Sequence, residues 1–417
     1  MAAPVVVVGA GAAGLMAAGW AARRGLEVTV LEKTRRAAQK VRISGKGRCN
    51  VTNAQPISDF PAYYPRNGRF LYSALHRFSN HDVMEFFRQL GVELKVERGQ
   101  RVFPVSDNAD EIGDALEGFA KDSGAVLRLG RRVTQIVMEG GRVHSVKAVG
   151  PQGSEEYAAS AVLLATGGMS YPGTGSTGDG YTLAAQAGHT IVPPRPSLVP
   201  LKVAEEWPKR LAGLTLRNVR LTLTCGEDSI SEFGEMLFAH FGITGPIVLT
   251  ASDRTAQWFQ EGASKVQAFL DLKPALSLEQ LDRRLVRDFA EFSRRQLKHG
   301  LDKLLPKSLI PIIIELSGIP PDKPIHQVGK GERLQLRDLL KKVPLTVSGT
   351  LPMAAAIVTA GGISVREVDP RTMESRLVDG LYFAGEVLDV HGVTGGFNLQ
   401  AAFSTAYVAA QAFRVEG

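Results

Sequence analysis

The chain opens on a run with no polar interruption, Pro4-Val5-Val6-Val7-Val8. Unbroken β-branched residues predict a strand buried on both faces, as in a parallel sheet. Leu15 to Arg24 is Ala-rich and predicts a helix, with Gly25 as its C-cap. Leu26 to Leu31 predicts a second strand, ending at Glu32. Further strands are predicted at Arg131 to Ile136, Ala161 to Ala165 and Asp379 to Phe383, and a long Ala-rich helix over Ala401 to Phe413. The middle of the chain has another rhythm. Leu198 to Leu249 alternates with a period of two, as in Val219-Arg220-Leu221-Thr222-Leu223-Thr224, which predicts antiparallel strands or a small barrel. Ser277 to Leu316 predicts helix, with Ser277 as N-cap and Gln280 as its capping-box partner. Pro306 and Pro311 are expected to break it, and Ile319-Pro320-Pro321 to end it. The fold class is therefore α/β. A discontinuous Rossmann-type domain, 1–190 and 346–417, is expected to carry an inserted domain, 191–345, barrel-like with a helical part over 277–320.

Chemistry enters between the first strand and helix, at Gly9-Ala10-Gly11-Ala12-Ala13-Gly14. In such a fingerprint Gly9 permits the tight turn, Gly11 lets the backbone approach a pyrophosphate, and Gly14 lets helix and strand pack closely. The helix N-terminus offers free N–H groups and a positive dipole end to the phosphates. Glu32 falls roughly 20 residues on, where a carboxylate accepts ribose hydroxyls and would repel a 2′-phosphate. This motif alone does not separate FAD from NAD.

The far end of the chain favours FAD. Leu381-Tyr382-Phe383-Ala384-Gly385-Glu386 is a short strand running into Gly-Glu. His391-Gly392-Val393-Thr394-Gly395-Gly396-Phe397-Asn398-Leu399-Gln400 then leads into the last helix. A helix start there would aim its dipole at the flavin and stabilise negative charge on it. Ala165-Thr166-Gly167-Gly168 is a third strand end of the kind FAD proteins use, and Val133 is a candidate backbone contact to adenine. A second GxGxxG, Gly173 to Gly178, follows Pro172 and lacks an acid-tipped strand, so it predicts a cofactor-facing or substrate-facing loop capped into a helix over Tyr181 to Ala187. No separate NAD(P)H domain is expected.

Ile43-Ser44-Gly45-Lys46-Gly47-Arg48-Cys49-Asn50-Val51-Thr52-Asn53 mixes glycines, cations and short polar side chains, which suits an anion-wrapping loop. Cys49 has no resolving cysteine nearby and reads as a buried or flavin-adjacent structural thiol.

With these motifs in one order, the chain resembles the BaiN-like, or aminoacetone oxidase family, FAD-binding flavoproteins nearly end to end. The stretches that carry the resemblance are GAGAAG, ISGKGRCNVTN, ATGGMSYPGTGSTGDGY, LFAHFGITGP and TAGGIS…GLYFAGEVLDVHGVTGGFNLQ. A more distant similarity, through ATGG…TGDG and GGI…GLYFAGE…HG, is to fumarate-reductase-type flavoproteins, which reduce activated C=C bonds. The resemblance implies FAD contacts from Gly9, Gly11, Ala12, Ala13, Gly14, Glu32, Lys33, Lys40, Ser44, Gly45, Gly47, Arg48, Cys49, Asn50, Val133, Thr166, Gly167, Gly385, Glu386, Gly396, Phe397, Asn398, Leu399 and Gln400. Gln39 stands where relatives usually carry Arg, which leaves one phosphate or flavin contact open. The resemblance also implies that the insert lies over the flavin.

Composition adds constraints. With 44% hydrophobic and 22% charged residues the chain is ordinary for a globular protein. Ala2 to Ala22 is uncharged and long enough to span a bilayer, but its nucleotide fingerprint argues for a buried strand and helix. Cys49 and Cys225 are the only cysteines, which excludes a disulfide framework and, with no metal-ligand spacing, a zinc site; a cytoplasmic location is expected. A net charge of +7 and a pI near 9.3 fit a phosphate-bearing cofactor more simply than nucleic acid. The arginines at 283, 284, 287, 294 and 295, with Lys298, could face RNA, but Asp282, Asp288 and Glu291 are interleaved with them.

These readings predict an FAD-dependent oxidoreductase passing hydride at flavin N5 to or from a small organic substrate, an activated C=C bond being one candidate and NAD(P)H a candidate donor. No nucleic-acid or membrane partner is expected, and the oligomeric state is open. His391, Arg48 and Tyr171 are the candidate catalytic groups; His240 is a further polar candidate, read as core packing. The alternative is an FAD-dependent RNA-modifying or RNA-binding flavoprotein.

Overall fold

In the computed structural model, residues 4–414 are described. The chain divides into two compact units, 1–196 with 356–417, and 197–355.

The first unit is organised on a five-stranded parallel sheet. Its order is Leu381–Phe383, Ala161–Leu164, β1 (Pro4–Val8), β2 (Glu27–Glu32), Val126–Leu129. β1 is central. Val6 lies in register between Val162 on one side and Thr29 on the other. Val5 to Val8 are at most 5% exposed, which explains their uninterrupted apolar run. Helix α1 (Ala12–Arg23) begins three residues before the Leu15 expected from sequence, because the fingerprint's last glycine lies inside the helix. Smaller antiparallel sheets, 52–53 with 101–104 and 94–97, and 132–139 with 142–150 and 153–158, flank this core. The C-terminal helix Phe397–Ala412 also starts earlier than expected, capped by a left-handed Gly396 (φ 98°). The helix after the second glycine motif is Asp179–Gln186.

The second unit is a closed six-stranded barrel in the order 201–203, 242–244, 228–239, 215–225, 266–271, 343–350. Outward polar and inward apolar residues alternate, as along Thr215–Cys225. Strand Val343–Thr350 closes the barrel, so this unit retains the chain past position 346. Helix Leu278–Glu291 carries the Ser277–Gln280 capping box that its sequence predicts. Pro311 does not break a helix; it occupies the first turn of Ile310–Ser317, where a missing N–H costs nothing. Among the described residues, no helix is long and apolar enough to cross a membrane.

Candidate functional site

The chain's two ends meet at the top of the parallel sheet. Strand Ala161–Leu164 pairs with both β1 and Leu381–Phe383. Gly385 therefore sits against the start of α1, where a Cβ on it would lie 3.1 Å from the Ala13 Cβ.

The three fingerprint glycines are required for different reasons. A Cβ on Gly14 would lie 1.8 Å from the Gly9 carbonyl oxygen, and one on Gly9 2.6 Å from the Ala165 oxygen. Both are dictated by backbone packing. A Cβ on Gly11 would meet nothing within 4 Å. Gly11 is the N-cap of α1, with no side-chain cap and no acid in the first turn. An uncapped helix start facing open space beside a glycine is the cradle a diphosphate needs. Ala12 and Ala13 supply the first turn.

Glu32 is fixed at the tip of β2. One carboxylate oxygen accepts the Ala10 N–H and the other the Thr34 N–H, each at 2.8 Å. A carboxylate so oriented still has lone pairs for ribose hydroxyls. Val133 lies just past Arg131, whose N–H donates to the Glu32 carbonyl. The second glycine motif folds back here: a Cβ on Gly175 would lie 2.9 Å from the Thr34 methyl. Lys33 donates to Thr177 and pairs with Asp179 at 3.0 Å. Despite burial, Asp179 is held below the usual carboxylate range by Lys33, Thr177 and Arg132.

A polar cluster joins both ends of the chain. The Lys40 ammonium lies 2.6 Å from Glu386 and 2.6 Å from the Ser170 hydroxyl. The other Glu386 oxygen accepts from Ser170 and from the Thr359 N–H at 2.8 Å. A Cβ on Gly167, beside Thr166, would lie 3.9 Å from Glu386. Ser170 is fully buried. No motif singles out Ser170 or Thr359, though both lie in the ATGGMSY and TAGG stretches. Tyr181 is buried nearby, and its phenol is pushed up by desolvation, with Glu386 and Asp389 adding to the shift.

The glycine-rich segment before the last helix is tied down from both sides. Asn53 donates to the Gly99 and Gly395 carbonyls at 3.1 and 3.0 Å. Asn67 donates to the Asp389 carbonyl at 2.7 Å, and the Val393 N–H donates to the Tyr63 carbonyl. The Asn50 amide, in the orientation that satisfies both its ends, accepts from the Gly396 N–H at 3.0 Å.

Several expected ligand contacts take a different role. Gln39 to Ile43 is helical, then Ser44 is extended and Gly45 and Lys46 are left-handed; with Gly47 (φ 82°) they form an exposed turn. Arg48 is not part of it. Its guanidinium pairs with Glu97 and Asp107 and lies over the Phe103 ring, 4.2 Å from its centroid. Cys49 is fully buried and its thiol is pushed up to about 12 by desolvation, so the side chain is structural. The Phe397 ring is 2% exposed and stacked on Tyr63 at 4.3 Å, so only its backbone can face a ligand. Asn398 is occupied by Gly392, and Gln400, fully buried, by Thr52, Phe78 and Ser404. Leu399, half-buried, is in the same first turn. His391 is 1% exposed, more enclosed than a side chain open to a substrate would be expected to be. His240 is exposed in the barrel hairpin between 228–239 and 242–244, not in a core. Tyr171 is 38% exposed and left-handed (φ 51°), next to Ser170. It is the candidate catalytic side chain still open to a ligand.

The residues present therefore fit FAD: an uncapped helix start, an oriented acid at the ribose position, and a lysine–acid pair joining the distant C-terminal segment. Comparison with known proteins agrees. Residues 3–412 match the family described as HI0933-like protein Rossmann domain. A ribosomal RNA dihydrouridine synthase of Haemophilus influenzae is 35% identical over 411 residues, covering 97% of each chain. One of the same name from Escherichia coli is 32% identical, covering 97% of this chain and 96% of that one. A 3-dehydro-bile acid delta(4,6)-reductase of Clostridium scindens is 32% identical, covering 97% and 98%. Among solved structures, 3-ketosteroid delta1-dehydrogenase of Sterolibacterium denitrificans shares the fold at TM-score 0.55 and 14% identity, over 98% of each chain. A flavocytochrome c3 fumarate reductase does so at TM-score 0.51 and 17% identity, over 98% of this chain and 78% of that one.

Proposed function

The chain belongs to the HI0933-like Rossmann family of FAD-dependent oxidoreductases, and on that premise we propose that it saturates a carbon–carbon double bond conjugated to a carbonyl, its substrate being a uracil ring in ribosomal RNA. The observation that carries the reaction class is shared by relatives of both names. Forming dihydrouridine and removing a delta(4,6) unsaturation from a 3-oxo compound both add hydrogen across a C=C bond polarised by a carbonyl. RNA is favoured over a small enone by the two relatives named for it and by the basic balance of the chain, pI near 9.3. This reverses the preference drawn from composition alone.

When bound, FAD supplies the hydride. The chain's own residues do the rest. The N-terminal N–H groups of α1 would hold the diphosphate, and Glu32 the adenosine ribose. Lys40 holds Glu386 in place beside Gly167. The N-terminus of the helix Phe397–Ala412, after Gly396, would favour negative charge on a flavin placed before it. Tyr171 is the group proposed to hold the proton that accompanies the hydride, since Arg48 is neutralised by carboxylates and His391 is enclosed. His391 is retained as a positioning residue. NAD(P)H is the proposed source of electrons.

The test is anaerobic. The purified yellow protein is bleached with NADH or NADPH, then given unmodified ribosomal RNA transcripts or a panel of enones. Reoxidation by RNA, with nucleosides two mass units heavier than uridine, supports the reading. Reoxidation by enones alone favours the second reading, a small-molecule reductase like the bile-acid relative.

A further inference from the structure

A base inside a structured RNA reaches a reductase only if the phosphates around it are held, and positive charge supplies most of that grip. The sequence points first to the insert helix 278–291 and its continuation. Part of its charge is spent on neighbours, Arg284 and Arg287 on Asp288 at 2.6 and 3.5 Å and Lys298 on Asp322 at 2.7 Å. Arg283, Arg294 and Arg295 are exposed without a carboxylate partner among the described residues, but they belong to the second unit, whereas the cofactor cluster lies in the first.

The first unit offers a better surface. Two exposed loops are bonded directly onto the glycine-rich segment that precedes the last helix. One, around Asn67, carries Arg66 and Arg69; it reaches that segment through Asn67 to Asp389 and through Tyr63 to Val393. The other is the turn between strands Leu94–Glu97 and Arg101–Pro104, which carries Arg98 and Arg101; Asn53 joins its Gly99 to Gly395. All four arginines are exposed. Among the described residues, none has a carboxylate within 4.0 Å. Arg101 is braced by donating to the Arg98 carbonyl at 3.0 Å. The nearest acid in sequence, Glu97, is already neutralised by Arg48. Asp59, the other acid on these loops, is exposed and accepts from Ser58. Among the described residues, guanidiniums on both sides of one cofactor-end loop have no acidic partner that explains them.

We infer that Arg66, Arg69, Arg98 and Arg101 form a phosphate-gripping rim around the loop 391–396 and hold the backbone of the RNA whose base is reduced. The inference rests on the RNA reading above. The rim holds RNA through ordinary charge-assisted contacts and takes no part in hydride or proton transfer.

The experiment measures binding of the FAD-loaded protein to ribosomal RNA transcripts by filter retention across a KCl series. Each phosphate neutralised contributes about 0.7–0.9 to the slope of log affinity against log salt, so replacing all four arginines by Ala is expected to lower that slope by about 3 and weaken binding about 100-fold or more at 100 mM salt. Flavin content and bleaching by nicotinamide should not change. Replacing the insert arginines 283, 287, 294 and 295 by Ala should leave the slope nearly intact. Equal loss from both sets, or loss from the insert set alone, overturns the rim. Wild-type protein that binds no RNA overturns the substrate reading itself. Wild-type binding with an unaltered rim variant overturns the rim alone.

Discussion

The two units are built by different rules. In the first, function dictates backbone: glycines stand where a Cβ would strike a carbonyl, or where nothing in the protein would fill the space. In the second, ordinary alternation closes a barrel, and several of its glycines lie in open turns. A Cβ on Gly213 or Gly226, for example, would meet nothing within 4 Å. The barrel has a position of the first kind too, Gly242, whose Cβ would lie 2.4 Å from the Leu201 carbonyl oxygen, but there the glycine serves strand pairing rather than a ligand.

The largest effect that could break this contrast is at Gly14. A Gly14→Val protein is expected to lose FAD entirely and to melt well below wild type, since the collision is with backbone. Gly213→Ala, in the barrel, should cost about 1–2 kcal/mol for its positive φ and leave FAD bound. Thermal melts with flavin absorbance read both. Next in size is Leu285, fully buried in the insert's core. Leu285→Ala should cost about 2–5 kcal/mol of stability, with FAD affinity unchanged; parallel loss of FAD would show that the contrast is overdrawn.

The Lys40–Glu386 pair sharpens the comparison, because it joins the two ends of the chain. Lys40→Met and Glu386→Gln should each weaken FAD binding about tenfold, and the double variant by less than the product, since each single change strands a partner. Strict additivity in FAD titrations would dissolve the pair. The smallest expected effect separates the cysteines. Cys49, with its thiol pushed up to about 12, stays protonated at pH 8 and should resist maleimide in the native protein, while the less enclosed Cys225 reacts. Rapid double labelling would contradict the burial of Cys49.

The same contrast explains what can be read in advance. The β1–α1–β2 frame, Glu32 and the Gly385-Glu386 return are legible because each needs particular residue types at fixed spacing. The helix starts expected at Leu15 and Ala401 fall late, since glycines that cap or enter a helix look like loop. The barrel strands Val266–Asp271 and Val343–Thr350 escape the sequence pattern because helical sequence separates them from their partners. The helices Asn80–Gln89 and Ala109–Asp122 pass unread beside the cofactor motifs, although a Ser79–Asp82 capping box and an Asn108 N-cap mark their starts. At the site, Arg48, Cys49, Phe397 and Gln400 point to a ligand only through their place in a distinctive stretch. Their side chains instead hold that stretch together, and only the folded chain shows which way each one turns. Ser170 and Thr359 escape notice for the opposite reason: a small hydroxyl gains its role from neighbours far away in sequence.

The central claim is that open space at Gly11 exists for a cofactor. Fluorescence titration of apoprotein with FAD, comparing wild type with Gly11→Ala, tests it most directly. A folded variant that keeps the apoprotein melting temperature while binding FAD about tenfold or more weakly is the predicted result. Equal affinity in the two proteins, or wild-type protein that takes up no FAD while folded, would contradict it.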